Sequence, residues 1–195
     1  MASDPRFCRY LDMPFQHISD PVLKKMNRKI TRKEIEATMA RVRRQLPDVA
    51  WRTTFIVGFP TETDQDFEEL VDFVSEGHFQ HLGIFLYSDE DNIRSSKFGD
   101  PIPLSLKEER KNRLMEIQQK ISREHHQKMV GSLQQVLVGG FSSETDLLLE
   151  GRNQYQGPEV DGVVYINEGN ANSAGFHQVE ITEAHEYDLV GKILN

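Results

Sequence analysis

The pattern of the chain changes once, between His126 and Val130, and that change restricts it to a two-part fold. Upstream, β-branched and aromatic runs alternate with stretches whose apolar residues recur every three or four positions. Downstream the helical period disappears, and short strand-like runs follow one another across glycine, asparagine and serine turns. Alternating strands and helices pair their strands in parallel through right-handed crossovers, whereas short strands on tight turns close as an antiparallel barrel. Charge shifts at the same place. Val130–Asn195 carries two basic residues, Arg152 and Lys192, against ten acidic ones, which accounts for the net charge of −8; the preceding stretch balances 21 basic and 21 acidic residues. Segments with different fields meet different partners, so residues 1–127 and 128–195 are expected to be separate domains.

In the first part, Arg9 to Phe15 is a short apolar run, and Ser19, Asp20 and Pro21 supply a cap and a first-turn proline for a short helix through Met26. Thr31 with Glu34 forms a capping box ahead of Ile35, Met39, Val42 and Leu46. Trp51 to Val57 reads as a buried strand, broken by Gly58, Phe59 and Pro60, and Thr63 with Asp66 opens a helix on Phe67, Leu70, Val71 and Val74. His81 to Tyr87 is a third strand. After a polar loop, Ser105 with Glu108 opens a last helix on Leu106, Leu114, Ile117 and Ile121. In the second part strands are expected at 133–138, 146–150, 160–166, 176–182 and 189–194, enough for a small OB-like barrel.

Several function classes lose their footing. An acidic chain with pI near 5.4 is no free-standing polybasic nucleic-acid binder. It lacks an apolar run of bilayer length and the flanks of a signal peptide, so a cytoplasmic protein with no membrane partner is expected. With Cys8 as the single cysteine there is no internal disulfide, Cys-rich zinc site or three-cysteine cluster motif, and Cys8 itself is expected to be a small buried residue. His125 and His126 splay apart on a helix and are expected at a solvated helix end, and no metal ligand set emerges from the seven histidines. Gly-x-Ser-x-Gly, Walker and Rossmann signatures are absent.

In a parallel strand–helix array, ligands meet the carboxyl ends of the strands. Here those ends are Gln16 and His17, then Gly58, Phe59, Pro60 and Glu62, then Tyr87. Arg52 and Thr54 alternate with Trp51, Thr53 and Phe55, so one set faces the barrel lumen and the other the helices. The bare spacing also suits a rigid strand-to-helix turn.

Three stretches carry a resemblance: Tyr10–His17 (YLDMPFQH) with Ser19–Arg28, Arg52–Pro60 (RTTFIVGFP) followed by Glu62 and Thr63, and Lys107–Ser122. They resemble the second half of the radical S-adenosylmethionine barrel of the methylthiotransferases, and Gly157–Tyr165 with His185–Gly191 resemble that family's TRAM domain. The fold so implied is α/β: a partial TIM-like (βα) radical SAM barrel followed by an OB-like antiparallel barrel. Within the family the LDMP, RTT and PEVDG segments look most like the type that methylthiolates an aspartate of ribosomal protein twelve of the small subunit; the alternatives are the type acting on a tRNA adenosine, or a non-catalytic binding fragment. The resemblance implies S-adenosylmethionine and two 4Fe–4S clusters in the intact enzyme, with no cluster held by this chain, because three thiolates anchor each one. It implies a cofactor cradle from Gln16, Ser19, Arg52, Thr54, Gly58, Phe59, Pro60, Glu62 and Tyr87, with no catalytic acid, base or nucleophile among them. The partner implied is a basic ribosomal protein in preference to tRNA, met on the TRAM side through Arg152, Glu159 and Asp161. Thr61, where the family usually has glycine, and the loop Ser88–Asp100 depart from the pattern.

Overall fold

The computed structural model describes residues 4, 6–89, 98–169 and 174–194. The loop over 88–100 therefore lies largely outside the described residues. The order is β1 (Tyr10–Asp12), α1 (Asp20–Lys25), α2 (Arg32–Gln45), β2 (Ala50–Val57), α3 (Asp64–Ser75), β3 (His81–Leu86) and α4 (Leu104–Gln127). Five strands follow: β4 (Leu133–Phe141), β5 (Leu149–Arg152), β6 (Val164–Glu168), β7 (Gly175–Ala184) and β8 (Leu189–Ile193). Two compact units result, one over Leu11–Gln118 and one combining Met1–Tyr10 with Gln119–Asn195.

The first unit is a sheet in the order β1-β2-β3, with β2 and β3 parallel and in register from Arg52↔His81 to Val57↔Leu86. Both capping boxes form: Thr31 and Thr63 accept the amides of Glu34 and Asp66, whose carboxylates bond back to the threonine amides. One face of β2 presents Trp51, Phe55 and Val57 to Ile35, Met39, Leu70, Val74 and Leu114, all essentially excluded from water. Burial of side chains of this size stabilises by about 1.5–3 kcal/mol each, and five aromatic rings interlock there. The opposite face of the strand, Arg52, Thr54 and Ile56, is in register with His81, Gly83 and Phe85. It is less covered: Thr54 is buried, Arg52, Ile56, His81 and Gly83 are half-buried, and Phe85 is 60 % exposed.

The second unit is a closed barrel in the order β4-β5-β6-β8-β7. Five strands in a ring cannot alternate direction all the way round, so one pair runs parallel; it is β6 with β8, the other four being antiparallel. The barrel is thus OB-like as expected, antiparallel but for one parallel seam. Val136, Val138, Val164, Ile166, Val179, Ile181, Leu189 and Ile193 fill it at alternate positions.

Two strands begin later than their residue types suggest. Ahead of β5, the Ser142 and Thr145 hydroxyls accept the amides of Glu144 and Leu147, giving a turn where a strand is expected. Between β5 and β6 the chain folds on side chains. Asn153 accepts the Tyr155 amide, Gln156 bridges the Asn153 amide and the Gly162 carbonyl, and Asp161 accepts the Gly157 amide at 2.8 Å.

Three other expectations are corrected. Cys8 is exposed. His126 is buried, its Nδ1 donating to the His185 carbonyl at 3.1 Å, so it is no solvated helix end. The buried stripe of α4 is Lys107, Arg110, Leu114, Gln118, Ser122 and His126, displaced from the stripe read on Leu106, Ile117 and Ile121, which are only half-buried. Among the described residues, no helix is long and apolar enough to cross a membrane.

Candidate cofactor cradle at the strand ends

The turn after β2 is fixed from behind. Gly58 has φ +74, and a Cβ there would lie 2.3 Å from Lys107 Cγ, so only glycine fits between the strand end and α4. Its amide donates to Glu62 Oε2 at 2.9 Å, while Glu62 Oε1 accepts from Arg110 Nη1 at 2.6 Å. Both side chains are buried. The second nitrogen of the Arg110 fork donates to Asp64 at 2.6 Å, and the guanidinium lies 5.2 Å from the centre of the Phe67 ring.

The loop after β1 joins the same network. The Ser19 amide donates to His17 Nδ1 at 3.0 Å, which places the ring proton on Nε2, and Nε2 lies 3.6 Å from Glu62 Oε2. Ser19 begins α1 without capping it, because its hydroxyl donates instead to Asp66. Burial alone would raise the Asp66 carboxyl, but the Ser19 hydroxyl and the Thr63 hydroxyl and amide outweigh it and hold the group below the ordinary range.

After β3, the Tyr87 ring packs edge-on against Phe59 at 5.3 Å, and Phe59 meets Phe98 at 6.0 Å. Lys107, also buried, donates to the Tyr87 carbonyl at 2.8 Å and to Asp100 at 2.6 Å. The Tyr87 hydroxyl is buried and has no hydrogen-bond partner among the described residues. A buried hydroxyl left so costs about 1–3 kcal/mol unless something completes it.

The nine expected cradle residues therefore divide. Gly58, Phe59 and Tyr87 come together at the ends of β2 and β3, with Pro60 in the same turn. Gln16, with φ 74, bridges to Phe55 at the end of the first strand. Thr54 and Arg52 lie lower on the less covered face, and Arg52 Nη1 is held by Asp12 at 3.0 Å and Thr54 at 3.4 Å. Ser19 and Glu62 spend their polar atoms inside the protein and act as supports. In the second unit, Arg152 and Glu159 are exposed, Glu159 at φ 64, whereas Asp161 is engaged in its own turn.

Lys107, Arg110, Asp12 and Asp66 escape a reading by strand ends. The available signal was helical spacing: Lys107 and Arg110 lie seven and four residues before Leu114, on its face of α4.

Residues 4–74 match the Radical SAM superfamily, and residues 130–194 match the TRAM domain. Along its whole length the chain is similar to curated proteins named ribosomal protein uS12 methylthiotransferase RimO. It is 50 % identical over 194 residues to that of Bdellovibrio bacteriovorus, covering 100 % of this chain and 42 % of the relative. It is 46 % identical over 195 residues to that of Desulfotalea psychrophila and 44 % to that of Geobacter sulfurreducens, covering 100 % of this chain and 44 % of each relative. The chain spans less than half the length of the curated relatives it matches. Over all of that span it is similar to proteins named RimO, and it joins part of a Radical SAM domain to a TRAM domain.

Proposed function

We propose that the protein to which this chain belongs is a radical SAM methylthiotransferase that modifies an aspartate of ribosomal protein uS12, and that the strand ends described above supply part of its S-adenosylmethionine cradle. The observation that carries the reading is the unbroken identity of 43–50 % along the chain to relatives that all bear that name.

The residues present fit the cofactor. At the ends of β2 and β3 an aromatic pair lies beside a buried hydroxyl with no partner among the described residues, which would offer a ligand apolar contact and one donor. Gln16, Thr54, Tyr87 and the backbone of Gly58 to Pro60 would hold the ligand, with Arg52 deeper on the less covered face. When bound, S-adenosylmethionine supplies the methyl group and the hydrogen-abstracting chemistry of the family. This chain's own contribution is orientation and exclusion of water. The residues do not fit an iron–sulfur cluster, since one exposed cysteine cannot supply three thiolates. No step is assigned to a cluster on this chain.

The TRAM segment supports a protein substrate over RNA. Ten carboxylates against two cations oppose a polyphosphate, whose binding requires neutralisation by Lys and Arg, and attract a basic protein. Binding of uS12 and of tRNA to the intact protein, measured at several salt concentrations, tests this. Glu159→Lys should slow capture of uS12 at low salt, with the loss shrinking as the Debye length falls to about 10 Å and below. Tight tRNA binding indifferent to that substitution would favour the tRNA-modifying reading instead.

A further inference from the structure

We propose that Arg110 is a positioning residue for the strand-end cradle: acting through Glu62, it sets the Gly58 amide and the His17 ring in the geometry that a ligand meets. The inference rests on the cofactor reading above and adds to it a residue distant in sequence.

Arg110 is 3 % exposed and comes from α4, yet its strongest contact is with the turn after β2. Glu62, also sealed from water, divides its carboxylate: Oε1 takes the Arg110 fork, and Oε2 faces the Gly58 amide at 2.9 Å and His17 Nε2 at 3.6 Å. One carboxylate thus holds the turn after β2 and lies beside the His17 ring, whose Nε2 has no hydrogen-bond partner among the described residues, and Arg110 fixes its orientation. A buried ion pair of this kind is a poor source of net stability, because desolvation offsets most of the attraction. What it provides is direction. The Arg110 fork is planar and donates through one nitrogen to the buried Glu62 and through the other to the 92 % exposed Asp64; water screens the outer pair, so the buried bond to Glu62 sets the direction. The Gly58 amide, turned inward on Glu62, shapes a left-handed turn that leaves the following backbone and the Phe59 ring toward Tyr87.

The test compares the whole chain with Arg110→Met, Arg110→Lys and Asp64→Asn, using three measurements on each: urea unfolding, the NMR signals of the Gly58 amide and the His17 ring nitrogens, and titration with S-adenosylhomocysteine. Arg110→Met should move both sets of signals and weaken S-adenosylhomocysteine about tenfold, as expected for loss of one charge-assisted hydrogen bond. Arg110→Lys, which keeps the charge beside Glu62, should restore the signals in part even where it is less stable. Asp64→Asn, which removes only the charge of the exposed arm, should leave the signals and the affinity as in the wild type. A merely structural Arg110 would lower stability in Met and Lys variants alike while the Gly58 and His17 signals stayed in place; that result overturns the proposal. If Arg110→Met unfolds, the contrast between the Lys and Asn variants still decides it, equal signals in the two refuting the coupling. Signals that respond as expected in a wild-type chain that takes up no S-adenosylhomocysteine would uphold the coupling and refute the cofactor reading.

Discussion

Gly58 shows how a single residue can be fixed by two independent demands. Its φ of +74 strains any side chain, and the space a Cβ would need is taken by the stem of Lys107. Gly58→Ala should cost about 2–4 kcal/mol of stability, measured by urea unfolding. Asp66 carries the clearest pH signature. Because its folded carboxyl titrates below its ordinary value of 3.8, the stability it contributes is complete above that value and is lost as pH falls through the lower, folded value. Unfolding curves of the wild type should therefore weaken on acidification below about pH 4, and Asp66→Asn should flatten that limb while lowering stability at neutral pH. At this scale the glycine–proline turn was legible, since few residue types suit such a strand end. Ser19 was legible as a residue of interest but not in its role, because a serine before Asp-Pro signals a cap whereas its hydroxyl found a buried carboxylate across the fold.

Among elements, α4 was the least transparent. Hydrophobic periodicity assumes that the buried stripe is apolar, and here five of its six buried residues are polar, four of them, Lys107, Arg110, Gln118 and His126, donating to a carbonyl or carboxylate elsewhere. The leucines and isoleucines flank that stripe and draw the reading sideways. The parallel sheet, by contrast, was readable because buried strands are continuous β-branched and aromatic runs. Strand limits in the barrel slipped where Ser142, Thr145, Asn153 and Gln156 bond to nearby backbone, a local competition that residue type alone does not resolve. Gly162 is the element-scale test. A Cβ there would lie 1.8 Å from the Tyr187 carbonyl oxygen, and backbone cannot yield as a side chain can. Gly162→Ala should destabilise the barrel unit by about 3 kcal/mol or more, seen as an early unfolding phase reported by barrel amides in hydrogen exchange.

For the whole molecule, the change of pattern along the chain foretold an α/β part and an all-β part, because periodicity is a property of segments and survives errors in single elements; the compact units themselves divide between Gln118 and Gln119, with Met1–Tyr10 joined to the second. The candidate cradle was legible only as a set of strand ends; that Ser19 and Glu62 spend their polar atoms inside the protein needed the hydrogen bonds. Anaerobic reconstitution of the chain with iron and sulfide should yield well under one cluster per chain, as expected with Cys8 as the single thiol. The central claim, that the protein containing this chain methylthiolates uS12, is tested most directly by mass spectrometry of uS12 from the native organism with and without the gene. uS12 should carry one methylthio group on an aspartate when the gene is present and lose it on deletion, with tRNA adenosines unchanged. An unmodified or unaltered uS12 alongside a lost methylthio group on tRNA would contradict that claim.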